Sequence, residues 1–442
     1  MPFGDAVRFQ LTTPYKSARM SELATWLKRL ETRHPIAIDL GLERVGEVYR
    51  RLGMPRPAPL CISVGGTNGK GSTVAFVSAC LAAAGLRVGT YTSPHLLAYN
   101  ERVNIAGVDA TDEQLIAAFE SVEAALGEVS LSYFEFGSLA AFVLLARSAL
   151  DVAVLEVGLG GRLDAVNLID ADAAILTSVD LDHQEYLGTT RAQIGFEKAH
   201  IFRAGRPAIV ADPDPPESVL DVASAIGAQV LRVGIDIQFA RRGGRRWRCV
   251  LPDGTRLTLP DPALAAPCQH RNATAAIAAL WALRERWPWS AEAIAAGVAN
   301  ARVRGRLERL PRERETWADV AHNPEAARTL AEWLSQLTPA TNVAVFAALK
   351  DKDLRGIVEP LRSTFAAWIV LDLCLQSPRA RAPEELAGDL SGLLSPTIPI
   401  STASDIRQAL QLADSAAGST GRIVVFGSFF TVAAALTAAA HS

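Results

Sequence analysis

The sequence predicts an α/β protein of two domains, the first with a mostly parallel sheet and a small antiparallel sheet attached to it. The chain has 442 residues, which is more than one hydrophobic core usually supports, so two domains are expected. Short β-branched runs alternate with longer helical patterns, as is typical of parallel strands joined by crossover helices. A glycine-rich turn at residues 65–69 stands between one such strand and a helix. These observations favour an α/β architecture for both domains.

The composition is that of an ordinary globular protein. Apolar residues make up 49% of the chain and charged residues 21%, far from the balance of disordered chains. The net charge of −3 gives no sign of a nucleic-acid partner. No apolar run approaches the roughly 20 residues of a membrane span, and the first ten residues lack the apolar core of a signal peptide. We therefore expect a cytoplasmic protein, by default a monomer, that binds neither nucleic acid nor membrane.

The five cysteines are scattered along the chain. Because their number is odd and no Cys-x-x-Cys pair occurs, neither a disulfide framework nor a zinc site is expected, and a reducing compartment fits. They are Cys61, Cys80, Cys249, Cys268 and Cys374.

The first β–α unit is the clearest local prediction. An apolar strand over residues 60–64 leads through the glycine-rich turn into a helix over residues 70–84, which Gly85 is expected to end. Further buried strands are predicted over residues 88–92, 152–157, 173–179 and 207–211.

The pattern changes over residues 229–260, where apolar and polar residues alternate. Gly243-Gly244 and Asp253-Gly254 are hairpin signals, so this stretch predicts the small antiparallel sheet. A basic cluster at residues 241–248 lies across one turn. A solvated hairpin tip is favoured there over a nucleic-acid patch, since no series of stacking aromatics accompanies the arginines.

A second domain is predicted from residue 302 to residue 442, after a first domain over residues 1–301. An alanine-rich helix over residues 272–286 precedes an arginine-dense stretch around residues 301–314, at the start of which the boundary is placed. Beyond it the α/β alternation restarts, with strands predicted over residues 343–346, 368–372 and 422–426. About 140 residues is a plausible size for an independent Rossmann-like α/β domain.

The glycine-rich turn has the features of a phosphate-binding loop. Its sequence from residue 65 is Gly-Gly-Thr-Asn-Gly-Lys-Gly-Ser-Thr. Backbone N–H groups can face an anion there, the helix N-terminus adds a favourable dipole, and Lys70 adds a charge. The spacing departs from G-x-x-x-x-G-K-[ST], because Val64 takes the first glycine position and Gly71 displaces the hydroxyl residue to Ser72. A plain strand-to-helix turn is the alternative; nucleoside triphosphate binding is the stronger prediction.

Several polar residues follow predicted strands, and each has an ordinary structural explanation. Glu156 closes a buried strand, where a carboxylate must be paired or bind a metal, and Arg162 is its candidate ion-pair partner. His183 in a strand-end loop is as often structural as a ligand. From the sequence alone, Ser93 belongs to an ordinary Ser-Pro turn and Lys198 to a solvated helix face.

The loop form Gly-Thr-Asn-Gly-Lys-Gly-Ser resembles that of the Mur ligase superfamily, in particular its folylpolyglutamate synthase and dihydrofolate synthase branch. Further segments resemble this branch in order along nearly the whole chain. They begin at His34 (HPIAIDLGLERV), Thr92 (TSPHL), Ser132 (SYFE), Leu155 (LEVGLGGRLDA), Leu181 (LDH), Glu197 (EK), Asn272 (NA) and Asp319 (DVAHNP).

The resemblance implies an ATP-dependent ligase that joins glutamate to a folate-type acceptor through an acyl phosphate. It implies Mg²⁺ ligands at Ser93, Glu156 and His183, and a carbamylated lysine at Lys198. With Lys70 and His322, Lys198 would form the catalytic set. A carbamate reverses the charge of Lys198, which suits a neighbour of Mg²⁺.

The resemblance also implies binding residues for ATP and for the acceptor. The nucleotide would be held by Thr67, Asn68, Gly69, Lys70, Gly71, Ser72, Asn272, Arg306 and Asp319. The pterin acceptor would be held by Ile38, Asp39, Leu40, Ser132, Tyr133, Phe134, Glu135, Leu163, Asp164 and Ala165. The chain departs from the family pattern at Arg304 and Leu307, which flank Gly-Arg in place of proline and phenylalanine, and at Phe430 in place of histidine. For Tyr133, Phe134 and Phe136 the alternative is an ordinary core aromatic.

The acceptor loops imply both additions of L-glutamate, first to dihydropteroate and then, γ-linked, to reduced folates. A monofunctional folylpolyglutamate synthase is the nearest rival, followed by a cell-wall ligase acting on a UDP-linked peptide. A nucleotide-gated binding protein or transport ATPase would explain the phosphate loop but gives no role to Glu156, His183 and Lys198.

Overall fold

The computed structural model describes residues 21–36, 38–242 and 245–440, and its first lobe is built on an eight-stranded sheet. The strand order is β4-β3-β2-β5-β1-β6-β7-β8, and all neighbours are parallel except the pairs β2–β3 and β3–β4. The strands are β1 (Leu60–Gly65), β2 (Val88–Tyr91), β3 (Val103–Ile105), β4 (Val108–Asp109), β5 (Val152–Glu156), β6 (Ala173–Leu176), β7 (Pro207–Val210) and β8 (Gln229–Arg232).

Among the residues that the structure describes, the first lobe has ten α-helices. They are α1 (Glu22–Arg33), α2 (Glu43–Leu52), α3 (Lys70–Ala83), α4 (Asp112–Leu126), α5 (Tyr133–Ala146), α6 (Gln184–Leu187), α7 (Arg191–Ala199), α8 (Glu217–Ile226), α9 (Gln269–Ala282) and α10 (Ala291–Asn300). Three short 3₁₀ helices join them, at Tyr99–Arg102, Ala165–Leu168 and Arg284–Arg286.

The central strand β1 is buried at every residue. It lies between β5 and β6, with Val64 opposite Glu156 and Gly65 opposite Leu176. The three strands are parallel, so the loops that follow them emerge side by side at one edge of the sheet. The predicted strand–turn–helix unit is confirmed, with α3 beginning at Lys70 and Gly85 in the left-handed conformation just after its end.

A three-stranded antiparallel sheet packs beside the first lobe, as predicted. Its order is β11-β10-β9. Its strands are β9 (Gln238–Arg242), β10 (Arg246–Val250) and β11 (Arg256–Pro260). The turn at Asp253-Gly254 is confirmed, with Gly254 at φ +84°, whereas the predicted Gly243-Gly244 turn lies outside the described residues. Assigning residues 229–232 to this sheet was wrong: they form β8, which extends the parallel sheet by pairing with β7.

The second lobe has its own six-stranded sheet, in the order β12-β13-β17-β14-β15-β16. All neighbours are parallel except β12 and β13. The strands are β12 (Glu308–Arg309), β13 (Thr316–Ala318), β14 (Asn342–Phe346), β15 (Ala367–Leu371), β16 (Ile400–Ala403) and β17 (Arg422–Phe426). The helices are α11 (Pro324–Ser335), α12 (Leu354–Val358), α13 (Pro383–Leu393), α14 (Ile406–Ala417) and α15 (Phe429–Ala440), with a 3₁₀ turn at Glu359–Leu361.

The cores of the two lobes are separate sets of buried residues. Two clusters lie on the opposite faces of the first sheet, one under α4 and α5 and the other under α3 and α9. Two more lie on the faces of the second sheet. Within the described part of the chain, no helix is both long enough and apolar enough to cross a bilayer. All five cysteines are free thiols.

Candidate active site

A cavity of about 740 Å³ opens where β1, β5 and β6 end, and the second lobe closes one side of it. The phosphate loop, Ser93, Glu156 and His183 line it from the first lobe. His322, Lys352, Arg379 and residues 427–430 line it from the second. Most of the predicted site residues therefore share one space.

Two glycines of the phosphate loop are required by its geometry. Gly66 has φ +143°, and a Cβ on it would overlap the Thr177 hydroxyl. Gly69 has φ +86° and precedes α3; a Cβ there would lie 2.8 Å from Oδ1 of Asn272. Only glycine adopts these conformations at low cost. The buried Asn272 side chain thus packs directly against the loop and donates to Oε1 of Gln269 at 3.0 Å.

The remaining loop side chains hold the loop in place. The Thr67 hydroxyl donates to the Asp180 carbonyl at 3.1 Å and accepts from the Asp180 N–H at 3.0 Å. Ser72 is buried and accepts from Nε2 of Gln269 at 3.3 Å. Gly71 leaves room for Glu156, whose Oε2 would lie 3.6 Å from a Cβ at that position.

Lys70 and Lys198 converge on one carbonyl oxygen. Each Nζ donates to the Gly66 carbonyl at 3.0 Å, and Lys70 also donates to the Thr67 carbonyl at 3.2 Å. The solvated-lysine alternative for Lys198 was wrong, because this residue is only 5% exposed. Burial, and then the neighbouring Lys70 ammonium, lowers the pKa of Lys198 to about 7.

Glu156 is a buried carboxylate at the end of β5. Its Oε2 accepts from the Ser93 N–H at 3.3 Å, and burial raises its pKa while the Lys70 charge opposes that shift. The predicted alternative of an ion pair with Arg162 was wrong: the Arg162 guanidinium instead pairs with Glu197 at 2.9 Å. Glu156 is therefore available to a ligand.

His183 directly precedes the short helix α6 and has a left-handed backbone conformation, with φ 49°. Its side chain lines the cavity and its Nε2 lies 3.9 Å from Oδ1 of Asp182. Burial lowers the pKa of His183 to about 4, so the ring is neutral at pH 7 and able to bind a metal.

The donor set fits a divalent cation on the condition that Lys198 carries a carbamate. Among the described residues, no three His, Cys, Asp or Glu side chains form a group that could hold a metal ion. The Lys70 ammonium acts electrostatically on the Glu156 carboxylate, and the Lys198 amine lies near Lys70 on the Gly66 carbonyl. Oxygen ligands suit Mg²⁺, and the Ser93 hydroxyl, a carbamate on Lys198 and nucleotide phosphates would complete the set.

Asp182 is a functional candidate that the sequence reasoning missed. It accepts from Nζ of Lys352 at 2.9 Å and from Nδ2 of Asn323 at 3.3 Å. Nε2 of His322 lies 3.9 Å away, while its Nδ1 donates to the Val320 carbonyl at 2.7 Å. The neighbouring His183 and Lys352 hold the Asp182 pKa well below its usual range. Asp182 stands inside the Leu-Asp-His segment, and that was the only sequence signal for it.

The second lobe also contacts the phosphate loop directly. Nδ2 of Asn68 donates to Oδ1 of Asn323 at 3.0 Å and to Oε2 of Glu325 at 2.6 Å. Glu325 also accepts from the Ser178 hydroxyl at 3.1 Å. Asn323 caps α11, and Pro324 occupies the first turn of that helix. Residues of the second lobe therefore complete the loop's surroundings.

The predicted nucleotide residues beyond the loop differ in position. Arg306 lines the cavity. Asp319 is not part of the lining; it accepts from the N–H groups of Leu307 at 2.9 Å and Ala321 at 2.8 Å. Burial raises the Asp319 pKa and the Arg306 charge opposes that shift. Asp319 therefore holds the segment that carries Arg306.

The predicted acceptor residues form a further part of the cavity wall. Phe134 is half-buried, lines the cavity and lies so close to Gly158 that a Cβ there would overlap its ring. Tyr133 is also half-buried, and its ring lies 6.0 Å from that of Tyr99. Phe136 is fully buried, as the core-aromatic alternative expects, whereas Tyr133 and Phe134 pack against the core and also line the cavity.

Some acceptor residues also have structural partners. Ser132 and Glu135 form a reciprocal capping box at the start of α5. Glu135 pairs with Arg44 at 3.0 Å, and Arg44 pairs with Asp39 at 2.9 Å. Ile38, Leu40, Leu163 and Ala165 complete this wall.

Asp164 is the most buried polar group of this wall. It accepts from the N–H groups of Leu159 at 2.8 Å and Val166 at 2.9 Å. Burial raises the pKa of Asp164 to about 6, so its carboxyl group titrates close to neutral pH.

Comparison with known proteins defines the class. Residues 64–280 match the Mur ligase middle domain, and residues 305–429 match the Mur ligase glutamate ligase domain. The chain is 41% identical to the dihydrofolate synthase/folylpolyglutamate synthase of Escherichia coli K12, over 93% of this chain and 94% of that one. It is 37% identical to the Haemophilus influenzae protein of that name, over 93% and 96%.

Solved structures agree in fold. The E. coli FolC protein in complex with DHPP and ADP superposes with a TM-score of 0.89 at 40% identity, covering 96% of this chain and 99% of that one. A bifunctional folylpolyglutamate synthase/dihydrofolate synthase with Mn, AMPPNP and L-glutamate bound gives 0.86 at 42% identity, over 96% and 98%. The chain belongs to the dihydrofolate synthase/folylpolyglutamate synthase family of Mur ligases.

Proposed function

We propose that this protein uses ATP to join L-glutamate to dihydropteroate, giving dihydrofolate, and then adds γ-linked glutamate to reduced folates. The observation that carries this proposal is a single cavity that is lined both by the phosphate loop and by the aromatic acceptor residues. Both reactions activate a carboxylate and admit the amine of glutamate, so one set of ATP-binding groups serves them.

The chemical problem is to make a carboxylate reactive in water. Transfer of the γ-phosphoryl group of ATP to the acceptor carboxylate gives an acyl phosphate, and attack by the glutamate amine forms the amide and releases phosphate. Lys70 and the loop N–H groups hold the phosphates. The second lobe, docked through Asn323 and Glu325, helps to keep water away from the acyl phosphate.

Mg²⁺ would neutralise charge on the nucleotide phosphates. Ser93, Glu156 and His183 are its proposed protein ligands, and the buried Glu156, which forms no ion pair within the described part of the chain, supports that role.

Lys198 is proposed to be carbamylated. Its amine is buried beside the Lys70 ammonium, so a substantial neutral fraction exists at neutral pH to attack CO₂. The N–C bond forms, one proton leaves, and the product is a carboxylate-like carbamate. This replaces a cation by an anion beside Lys70 and the Gly66 carbonyl and removes repulsion of the metal.

His322 is proposed as a polar group at the transferring phosphoryl and amine. Its Nδ1 is held by the Val320 carbonyl, which leaves Nε2 facing Asp182 and the cavity. Burial lowers its pKa to about 4, so it is neutral at pH 7 and can accept or donate a hydrogen bond there.

The pterin ring is proposed to lie against Phe134, with polar contacts from the Asp39 segment and Asp164. The half-buried Phe134 ring in the cavity supports the stacking role. We further propose that the chain acts as a monomer in the cytosol, since one chain supplies every group named here. The domain boundary is proposed near residue 302.

The direct test is a ligation assay with purified protein, ATP, Mg²⁺ and glutamate, offered dihydropteroate or tetrahydrofolate, with the products resolved by mass. We expect one added glutamate on dihydropteroate and one or more on tetrahydrofolate. Elongation of tetrahydrofolate without any conversion of saturating dihydropteroate would instead leave a monofunctional folylpolyglutamate synthase.

A further inference from the structure

Arg102 is a buried arginine inside the cavity to which neither the sequence reasoning nor the proposed chemistry gives a role. It ends the 3₁₀ helix Tyr99–Arg102, is 8% exposed and lines the cavity. Its carbonyl accepts from the Thr92 N–H at 2.9 Å, so the residue sits beside the strand end that carries Ser93.

The Arg102 guanidinium is held by neutral groups. Its Nε donates to Nδ1 of His95 at 2.9 Å. The Tyr99 ring centroid lies 5.2 Å and the Tyr133 ring centroid 5.7 Å from its Cζ. These rings fix the orientation of the plane and stabilise the charge.

No carboxylate pairs with Arg102 among the residues that the structure describes. By contrast, Arg44 at the same wall pairs with Asp39 and Glu135, and Lys352 pairs with Asp182. A buried cation without an ion pair is costly unless an anion reaches it. The orientation of Arg102 toward a ligand cavity indicates that a ligand supplies that anion.

The position of Arg102 identifies which part of the ligand it meets. The Tyr133 ring, next to Phe134, lies 5.7 Å from Cζ of Arg102, and the Arg102 charge is near enough to Glu156 to lower the pKa of that carboxyl group. Arg102 thus has contacts toward both the aromatic wall and the carboxylate at the end of β5, and an acceptor with its ring on Phe134 and its reacting carboxylate at the nucleotide would bring its carboxyl-bearing end to Arg102. A planar guanidinium recognises a carboxylate through paired N–H donors.

The two acceptors differ at this point in their chemistry. A reduced folate reacts at its γ-carboxylate and carries an α-carboxylate that does not react. Dihydropteroate has one carboxylate, which is the reacting group. We propose that Arg102 binds the unreacting α-carboxylate of the terminal glutamate, and so favours glutamate-bearing acceptors. This inference rests on the proposed function and adds a specificity residue to it.

The test measures kcat/KM for three acceptors: tetrahydrofolate, its α-carboxamide with the γ-carboxylate free, and dihydropteroate. In the wild-type enzyme the α-carboxamide should be used about 10- to 100-fold less well than tetrahydrofolate, as for loss of one charged hydrogen-bonding pair. In Arg102→Gln, tetrahydrofolate use should fall by a similar factor, the α-carboxamide should suffer no further loss, and dihydropteroate use should change less than threefold.

Dihydropteroate turnover in the same preparation shows whether Arg102→Gln is folded. Arg102→Lys, which keeps the charge, should retain part of the preference for tetrahydrofolate over its α-carboxamide. Arg33→Gln is the matched control, since Arg33 lies over the Phe136 ring and pairs with Glu123 outside the cavity; the ratios should not change. Equal losses for all three acceptors in Arg102→Gln, or a persistent preference for the α-carboxylate, would overturn the assignment. A wild-type enzyme inactive on dihydropteroate would refute bifunctionality, whereas the α-carboxamide comparison would still test Arg102.

Discussion

At the scale of single residues, Lys198 and Lys70 place two amino groups on the Gly66 carbonyl oxygen. A metal ion can bind beside these two amino groups only if they do not both remain cations. Burial lowers the pKa of both amino groups, but the Glu156 carboxylate opposes that shift at Lys70. Lys70 is therefore proposed to remain the cation that binds the phosphates, and Lys198 to be the amine that reacts with CO₂.

Lys198→Ala should therefore lose ligation activity and regain part of it with acetate or another short carboxylate. In the wild-type enzyme, CO₂ dependence should weaken as the pH rises through about 7, because the neutral amine fraction grows above the lowered pKa. Activity after CO₂ depletion and bicarbonate return measures this. Lys70→Ala should be inactive without rescue; equal rescue of both variants would contradict the carbamate.

Glu156→Gln and His183→Ala should each require more Mg²⁺ and turn over far more slowly, since metal-centre groups contribute several kcal/mol. Magnesium titration of the ligation rate measures both. The control variant Glu185→Gln alters an exposed residue two positions from His183. Its ligation rate should depend on Mg²⁺ as that of the wild type does. If Glu156→Gln and His183→Ala both kept the Mg²⁺ dependence of the wild type, Glu156 and His183 would be structural residues.

At the scale of elements, α5 positions the aromatic wall. Its capping box fixes the first turn, and Gly158 allows the Phe134 ring to lie against the end of β5. Removing that ring in Phe134→Ala should weaken dihydropteroate use by about 1–3 kcal/mol, more than tetrahydrofolate use, because the dihydropterin ring is flatter and stacks better.

The test compares kcat/KM for dihydropteroate and for tetrahydrofolate in Phe134→Ala and in the wild type, with the two acceptors in competition. The dependence of the rate on ATP and Mg²⁺ is expected to remain unchanged. Equal losses for the two acceptors would remove Phe134 from acceptor discrimination.

Local elements were predictable where a pattern is complete within a short stretch. The strand, loop and helix over residues 60–84 needed only an apolar run, glycines and one stop signal. Residues 229–232 were misassigned because strand alternation does not reveal which sheet a strand joins; that depends on β7, whose paired residues lie 22 positions earlier.

At the scale of the whole molecule, the site depends on contacts between positions far apart in the chain. Lys352 reaches Asp182 across 170 positions, and Asn68 reaches Asn323 across 255. No periodicity or spacing encodes such pairs. The burial of Lys198 and the pairing of Arg162 with Glu197 could not be predicted from the sequence for the same reason. Glu156 and Ser93 were predicted as site residues through motifs.

Lys352→Met should lower the free energy of unfolding by about 1–3 kcal/mol, because Asp182 loses a charged hydrogen bond in a poorly hydrated place. Lys350→Met, at an exposed neighbour, should change it little. Urea unfolding measures both.

The pH dependence has a defined sign. The Asp182 pKa is depressed in the folded state, so its stabilisation is present above the unfolded pKa of about 3.9 and is lost as the pH falls through the folded value. The difference between wild type and Lys352→Met should shrink below about pH 4. A constant difference would contradict the charge pairing.

The central claim is that one cavity activates the acceptor carboxylate as an acyl phosphate, and oxygen-isotope transfer tests it most directly. Dihydropteroate labelled with ¹⁸O in its carboxylate is converted with ATP, Mg²⁺ and glutamate, and the released phosphate is analysed by mass. The proposed chemistry places one ¹⁸O atom in inorganic phosphate for each dihydrofolate formed, with ADP as the nucleotide product. Unlabelled phosphate, or label recovered in AMP, would contradict the account.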